Sequence, residues 1–116
     1  MTLSSLAGDV RALARDDATA SVHYDDATVC AALKDAVTRL RTRNPATRYA
    51  NGVLADIAWP SATADLLAFD PGVDDRYRLG LCYFAAGRLL ERDSVDTVNA
   101  QLAAAFLQKA DVEFAP

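Results

Sequence analysis

The chain has 116 residues, 52% of them hydrophobic and 24% charged, with a formal net charge of −4. That length suits one domain with a substantial core, and no apolar run approaches the ~20 residues a membrane helix needs. The negative balance leaves no overall electrostatic footprint for nucleic-acid binding.

The first residues, MTLSSLAGDVRALARDD, have no basic start, and Asp9 and Arg11 interrupt the apolar positions. They do not read as a secretory signal, and intracellular synthesis is expected. Leu3, Leu6, Val10 and Leu13 recur at three- and four-residue spacing, which predicts a helix from about Thr2 to Asp16, capped by Thr2 or Ser4. DDATASV ends that pattern.

Asp25 and Asp26 then stand where an acidic cap opens a second helix. Val29, Leu33, Ala36, Val37 and Leu40 form its inward face, and Arg39, Arg41 and Arg43 complement its negative end. Pro45 stops it and pushes Asn44 out of helical conformation. The segment from 45 to 72 is a compact middle. Its Asn51-Gly52 is a strong hairpin signal, although RYANGVLADIA also reads as an irregular helix. Trp59 before Pro60 is expected to be extended. SATADLLAF adds a short helix before a Pro71-Gly72 turn.

After that turn, Asp74 and Asp75 open a third long helix containing RLGLCYFAAGRLLER. At 100° per residue, Leu79, Cys82, Tyr83, Ala86, Leu89 and Leu90 share a broad apolar face, while Arg78, Arg88 and Arg92 lie opposite. Gly80 and Gly87 stack on one edge. Each costs ~1 kcal/mol relative to alanine, so the pair predicts that another backbone comes close there. Asp93 or Ser94 ends this helix and caps the next, where Val98, Leu102, Phe106, Ala110 and Phe114 keep four-residue spacing. So short a joint makes the last two long helices antiparallel neighbours. The fold class expected is mainly α: one domain over residues 1–116, a small bundle of about four helices with a short irregular or β-hairpin segment in the middle.

Chemistry is hard to find in this pattern. His23 is the sole histidine, so no second one completes a typical zinc site. Asp16-Asp17, Asp25-Asp26 and Asp74-Asp75 all fall at helix boundaries, where capping and solvation account for them. No serine has a nucleophile-elbow context and no phosphate-binding glycine loop is present. Cys30 and Cys82 form no CxxC and read as buried free thiols. No catalytic residue, metal or cofactor is expected. Ten of the twelve basic residues are arginine, a side chain suited to bidentate interface contacts, although a GC-rich coding sequence also favours it. The cluster Arg39, Arg41, Arg43 and Arg48 reads as helix-end stabilisation or a protein contact, with phosphate binding as the alternative.

The order of features resembles the head-to-tail adaptor (connector) proteins of tailed phages. The likeness lies in a short first helix, Val22-His23-Tyr24, the Asp25-Asp26 cap and the Asn44-Pro45 stop. It continues in Asp74 to Tyr77, the Leu79–Leu90 helix, the Arg92-Asp93 joint, Asn99 to Gln101 and Phe106. The family's longer, strand-rich insertion is replaced here by the compact 45–72 segment. The resemblance implies a homo-oligomeric ring, usually of twelve subunits, docked beneath the portal protein in the virion neck and made in the bacterial host cytoplasm. It extends the DNA channel toward tail or neck proteins, with DNA as transient cargo and no membrane involved. Expected subunit or portal contacts are Arg39, Arg41, Arg43, Arg48, Arg78, Arg88, Arg92, Phe106 and Phe114. Expected channel-facing acids are Asp93, Asp96, Asp111 and Glu113. The competing readings are a small cellular helical interaction or regulatory protein and an arginine-dependent nucleic-acid-binding module.

Overall fold

The structure, a computed structural model, describes residues 1–14, 24–92 and 97–116. Helix α1 spans Leu3–Leu13, and its first free amide is met by Thr2, whose hydroxyl accepts from the Ser5 N–H. Residues 15 and 16, assigned by periodicity to the end of this helix, lie outside the described residues. Helix α2 spans Asp26–Arg43; Asp25 caps it by accepting from the Thr28 N–H at 2.8 Å. Hydrogen bonding to the Thr28 side chain, and then to its backbone N–H, holds the Asp25 carboxyl below the usual carboxylate range. Asn44 leaves helical geometry ahead of Pro45, as the proline requires.

The middle of the chain forms a hairpin, not the irregular helix. A 3-10 turn over Pro45–Arg48 leads into strands β1 (Tyr49–Ala50) and β2 (Val53–Leu54). These pair antiparallel, with Tyr49 opposite Leu54 and Ala50 opposite Val53. Asn51 and Gly52 have φ of 52° and 78°, the two left-handed positions of a type I′ turn. Helix α3 (Thr63–Ala68) follows, and Trp59 packs on Phe69 with ring centroids 5.4 Å apart. The Pro71-Gly72 turn and a 3-10 turn over Asp75–Tyr77 lead into α4 (Arg78–Arg92), and α5 spans Thr97–Phe114. The chain is therefore mainly helical, with a short two-stranded hairpin between helices.

The molecule measures 45 × 30 × 18 Å. Its short axis is less than twice the ~10–12 Å width of one helix. Helix α4 lies at the centre and touches α1, α2 and α5. Its buried residues therefore run round most of its circumference, from Gly80 and Leu81 through Ala85 and Gly87 to Leu90. The inward face expected of α2 is buried at every position from Val29 to Leu40. Among the described residues, no helix is long and apolar enough to cross a membrane.

The two glycines of α4 explain how close α5 lies. A Cβ on Gly80 would stand 2.7 Å from the Phe114 ring, and one on Gly87 would stand 2.9 Å from Leu107 Cγ and 3.2 Å from the Ala103 carbonyl oxygen. Contacts of 80 with 114 and of 87 with 103 and 107 run in opposite directions, so the pair is antiparallel. The close backbone predicted from the glycine spacing belongs to α5 of the same chain.

Candidate interaction surfaces

The arginines expected at an interface are mostly engaged within the chain. Arg39 forms a bidentate pair with Asp111, Nε and Nη2 each 2.9 Å from a carboxylate oxygen, tying α2 to α5. Arg39 donation holds the Asp111 carboxyl below the usual carboxylate range. Arg41 Nη2 donates to the carbonyls of Arg48 and Ala55, and Arg48 Nε donates back to the Arg41 carbonyl at 3.1 Å. This exchange fastens the 3-10 turn and the hairpin to the end of α2. Arg43 reaches the Asp111 carbonyl at 3.5 Å.

On α4, Arg78 pairs with Asp9 at 2.7 Å and donates to the Ser5 carbonyl, docking α1. Arg88 lies 3.3 Å from Glu91 and 4.0 Å from Asp35. Arg92 is exposed at the end of the helix. Hydrogen bonds to carbonyls leave a guanidinium charged, so these cations can still attract an acidic neighbour. Their geometry is nonetheless set by the chain's own fold.

Two expectations are corrected. Phe114 is fully buried and Phe106 is 8% exposed. Both fill the seam with α4, Phe106 against Tyr83 and Phe114 against Phe84. They are core residues of the chain, in the buried stripe of Ala103, Phe106, Ala110 and Phe114 that α5 turns inward. Asp111, expected as a channel-facing acid, pairs with Arg39 of α2 and stays partly exposed. Glu113 is exposed beside α4, whereas Asp93, Asp96, Ser94 and His23 lie outside the described residues, as does the side chain of Val98. Val22 also lies outside them; Tyr24 donates to the Leu89 carbonyl at 3.2 Å.

Sequence periodicity missed one surface feature. Leu79, placed on the apolar face of α4, is 49% exposed. It sits in the first turn, in a shallow groove with Tyr83 and with Gln108 and Val112 of α5, lined among the described residues by α4 and α5 alone. Val112 is 69% exposed. The hairpin carries a second apolar group: Tyr49, Val53 and Leu54 are all more than half exposed. Among the described residues, the large exposed apolar side chains fall into these two groups. A two-residue strand cannot bury a face of its own, which is why the hairpin leaves its side chains outside.

Among the described residues, no group of three or more His, Cys, Asp or Glu side chains is placed to hold a metal ion. Burial pushes the Cys82 thiol up to about 11, with Asp9 adding to the effect, and burial also raises Cys30. Both remain thiols at neutral pH, without the low pKa of a nucleophile. No protein-family model, curated protein or solved structure matches the chain.

Proposed function

We propose that the chain is a structural subunit of a phage head-to-tail adaptor, assembling into a ring beneath the portal and extending the DNA channel from capsid to tail. The observation that carries this reading is the division of exposed apolar side chains into two unlike groups, the hairpin and the α4/α5 groove. Closed rings are built from heterologous contacts, in which one surface of a subunit meets a different surface of the next. A self-complementary dimer needs only one such patch.

The order of helices and caps, which resembles the adaptor family, supplies the portal, tail and virion part of the proposal. The net charge of −4 supports a lumen that does not hold the DNA backbone. The inward bonding of Arg39 and Arg41 favours this reading over a phosphate-binding one, since both guanidinium groups already serve the fold.

The test is particle mass, by native mass spectrometry of the chain alone and with portal rings from the same genome. The expected result is a closed ring, alone or on the portal. Leu54→Asp in the hairpin and Val112→Asp in the groove should each abolish it while leaving helical content unchanged. A chain that stays monomeric beside portal rings, or stops at a dimer, overturns the proposal.

A further inference from the structure

A cavity of about 500 Å³ opens between the end of α2, the hairpin and the turn into α4. Leu40, Ile57 and Val73 give it an apolar wall. Its floor is polar and unusually well buried: Asn44 is 3% exposed and Tyr77 5%. Asn44 Nδ2 donates to the Tyr77 hydroxyl oxygen at 3.0 Å, and Arg76 Nη2 donates to the same oxygen.

Counting protons at this floor gives a definite result. A guanidinium only donates, so the Tyr77 oxygen accepts from Arg76. The single hydrogen bond between Asn44 and Tyr77 uses one more proton. If the amide supplies it, the phenol O–H is left over. If the carboxamide is turned over and the phenol supplies it, the amide NH2 is left over. Among the described residues, neither side chain has a further hydrogen-bond partner. In both orientations one donor proton on a residue lining the cavity is left without a protein acceptor. Arg41 and Arg76 add two cationic side chains to the lining, which also includes Pro116 and one acidic side chain, Asp74, whose Oδ1 already accepts the Arg76 N–H at 3.0 Å. The Arg76 guanidinium is also stacked over the Tyr77 ring at 4.6 Å, which fixes it beside the donor.

We propose that this cavity binds a carboxylate carried on an apolar body, the carboxylate meeting the Asn44–Tyr77 floor and Arg76 while the body lies along Leu40, Ile57 and Val73. Such a group occurs as an acidic side chain between apolar residues of an extended peptide, or as a small aliphatic acid. The exposed Tyr49, which lines the same cavity, extends the apolar wall outward. The site lies within one subunit and does not depend on ring assembly.

The test is an amide-detected NMR titration of the whole chain with four probes: hexanoate, hexanamide, acetyl-Leu-Asp-Val-amide and acetyl-Leu-Asn-Val-amide. The acids should shift the Asn44, Val73 and Tyr77 signals saturably and bind at least about tenfold tighter than their neutral partners, the scale of one charge-assisted hydrogen bond. Tighter binding of the acidic peptide than of hexanoate assigns the peptide source; the reverse, or equality, assigns the small acid. Arg76→Gln, at an exposed side chain, and Tyr77→Phe should each weaken the acid about tenfold with α4 and α5 signals unmoved. Equal or absent binding of acids and neutral probes overturns the site. So does unchanged acid affinity in Arg76→Gln, a result that remains readable should Tyr77→Phe fail to fold.

Discussion

The α4/α5 pair and the segment from 45 to 72 are held in opposite ways. Helix α5 meets α4 through interlocked side chains, with Gly80 and Gly87 thinned to admit Phe114 and Leu107. The middle segment is held largely by hydrogen bonds from outside it. Arg41 clamps the Arg48 and Ala55 carbonyls, and the Leu3 N–H donates to the Phe69 carbonyl at 3.0 Å. Its apolar contribution is smaller: Leu66 is buried, Ile57, Trp59, Leu67 and Phe69 are half-buried, and the hairpin side chains are exposed. One region draws its stability from non-directional burial and the other from a few directional bonds. Substitutions should therefore act globally in the first and locally in the second.

The largest effect is expected at Phe114. Truncating a fully buried phenylalanine costs about 3–5 kcal/mol, and Phe114 closes the seam at the start of α4. Phe114→Ala should lower the denaturation midpoint for the whole chain, measured by circular dichroism in urea. Loss confined to α5, with α1, α2 and the core of α4 retaining full stability, would mean that the last helix is an attachment rather than part of the core.

How far the fold was legible follows the same division. Burial leaves a period in the sequence, so Val29 to Leu40 and the Gly80/Gly87 edge could be read directly from spacing. The Asn51-Gly52 signal marked a hairpin because φ > 0 at two consecutive positions is a local requirement. The polar clamps left no such trace. Nothing in the spacing of Arg39 and Asp111, 72 residues apart, or of Asn44 and Tyr77, 33 apart, announces that they meet. Arginines therefore looked free for a neighbour when the fold already uses several of them. Leu79 erred for a related reason: periodicity marks a face as apolar but does not say where along the helix its cover ends.

A pair of glycine substitutions sharpens the contrast at intermediate size. Gly87→Ala forces a Cβ against Leu107 and the Ala103 carbonyl oxygen. Overpacking of about 1–3 kcal/mol, less the roughly 1 kcal/mol gained in helix propensity, leaves a net global loss of up to about 2 kcal/mol. Gly52→Ala meets no atom but keeps a φ of +78°, a strain of about 1–2 kcal/mol. That strain should be relieved by opening the hairpin alone. Hydrogen exchange separates the two: Gly87→Ala should raise exchange throughout α4 and α5, and Gly52→Ala only around 48–55. Gly8→Ala in α1, which meets nothing within 4 Å, is the control and should stabilise by about 0.5–1 kcal/mol.

The smallest effect belongs to the bridge that joins α2 to α5. Asp111 and Arg39 are 37% and 42% exposed along their side chains, so solvent screens the pair and a double-mutant cycle with Arg39→Ala and Asp111→Ala should give at most about 1 kcal/mol of coupling. Its pH dependence tests its origin. Hydrogen bonds from Arg39 lower the Asp111 pKa in the folded chain, against a smaller opposing effect of burial. The unfolded chain therefore binds its proton first as pH falls. The contribution is complete above the unfolded carboxylate value and is lost as pH drops through that value to the folded one. Coupling measured by urea unfolding should be present at neutral pH and vanish in acid. Coupling that persists with Asp111 protonated would place the bond's value in packing between α2 and α5, which would make this junction resemble the α4/α5 seam rather than the hydrogen-bonded middle.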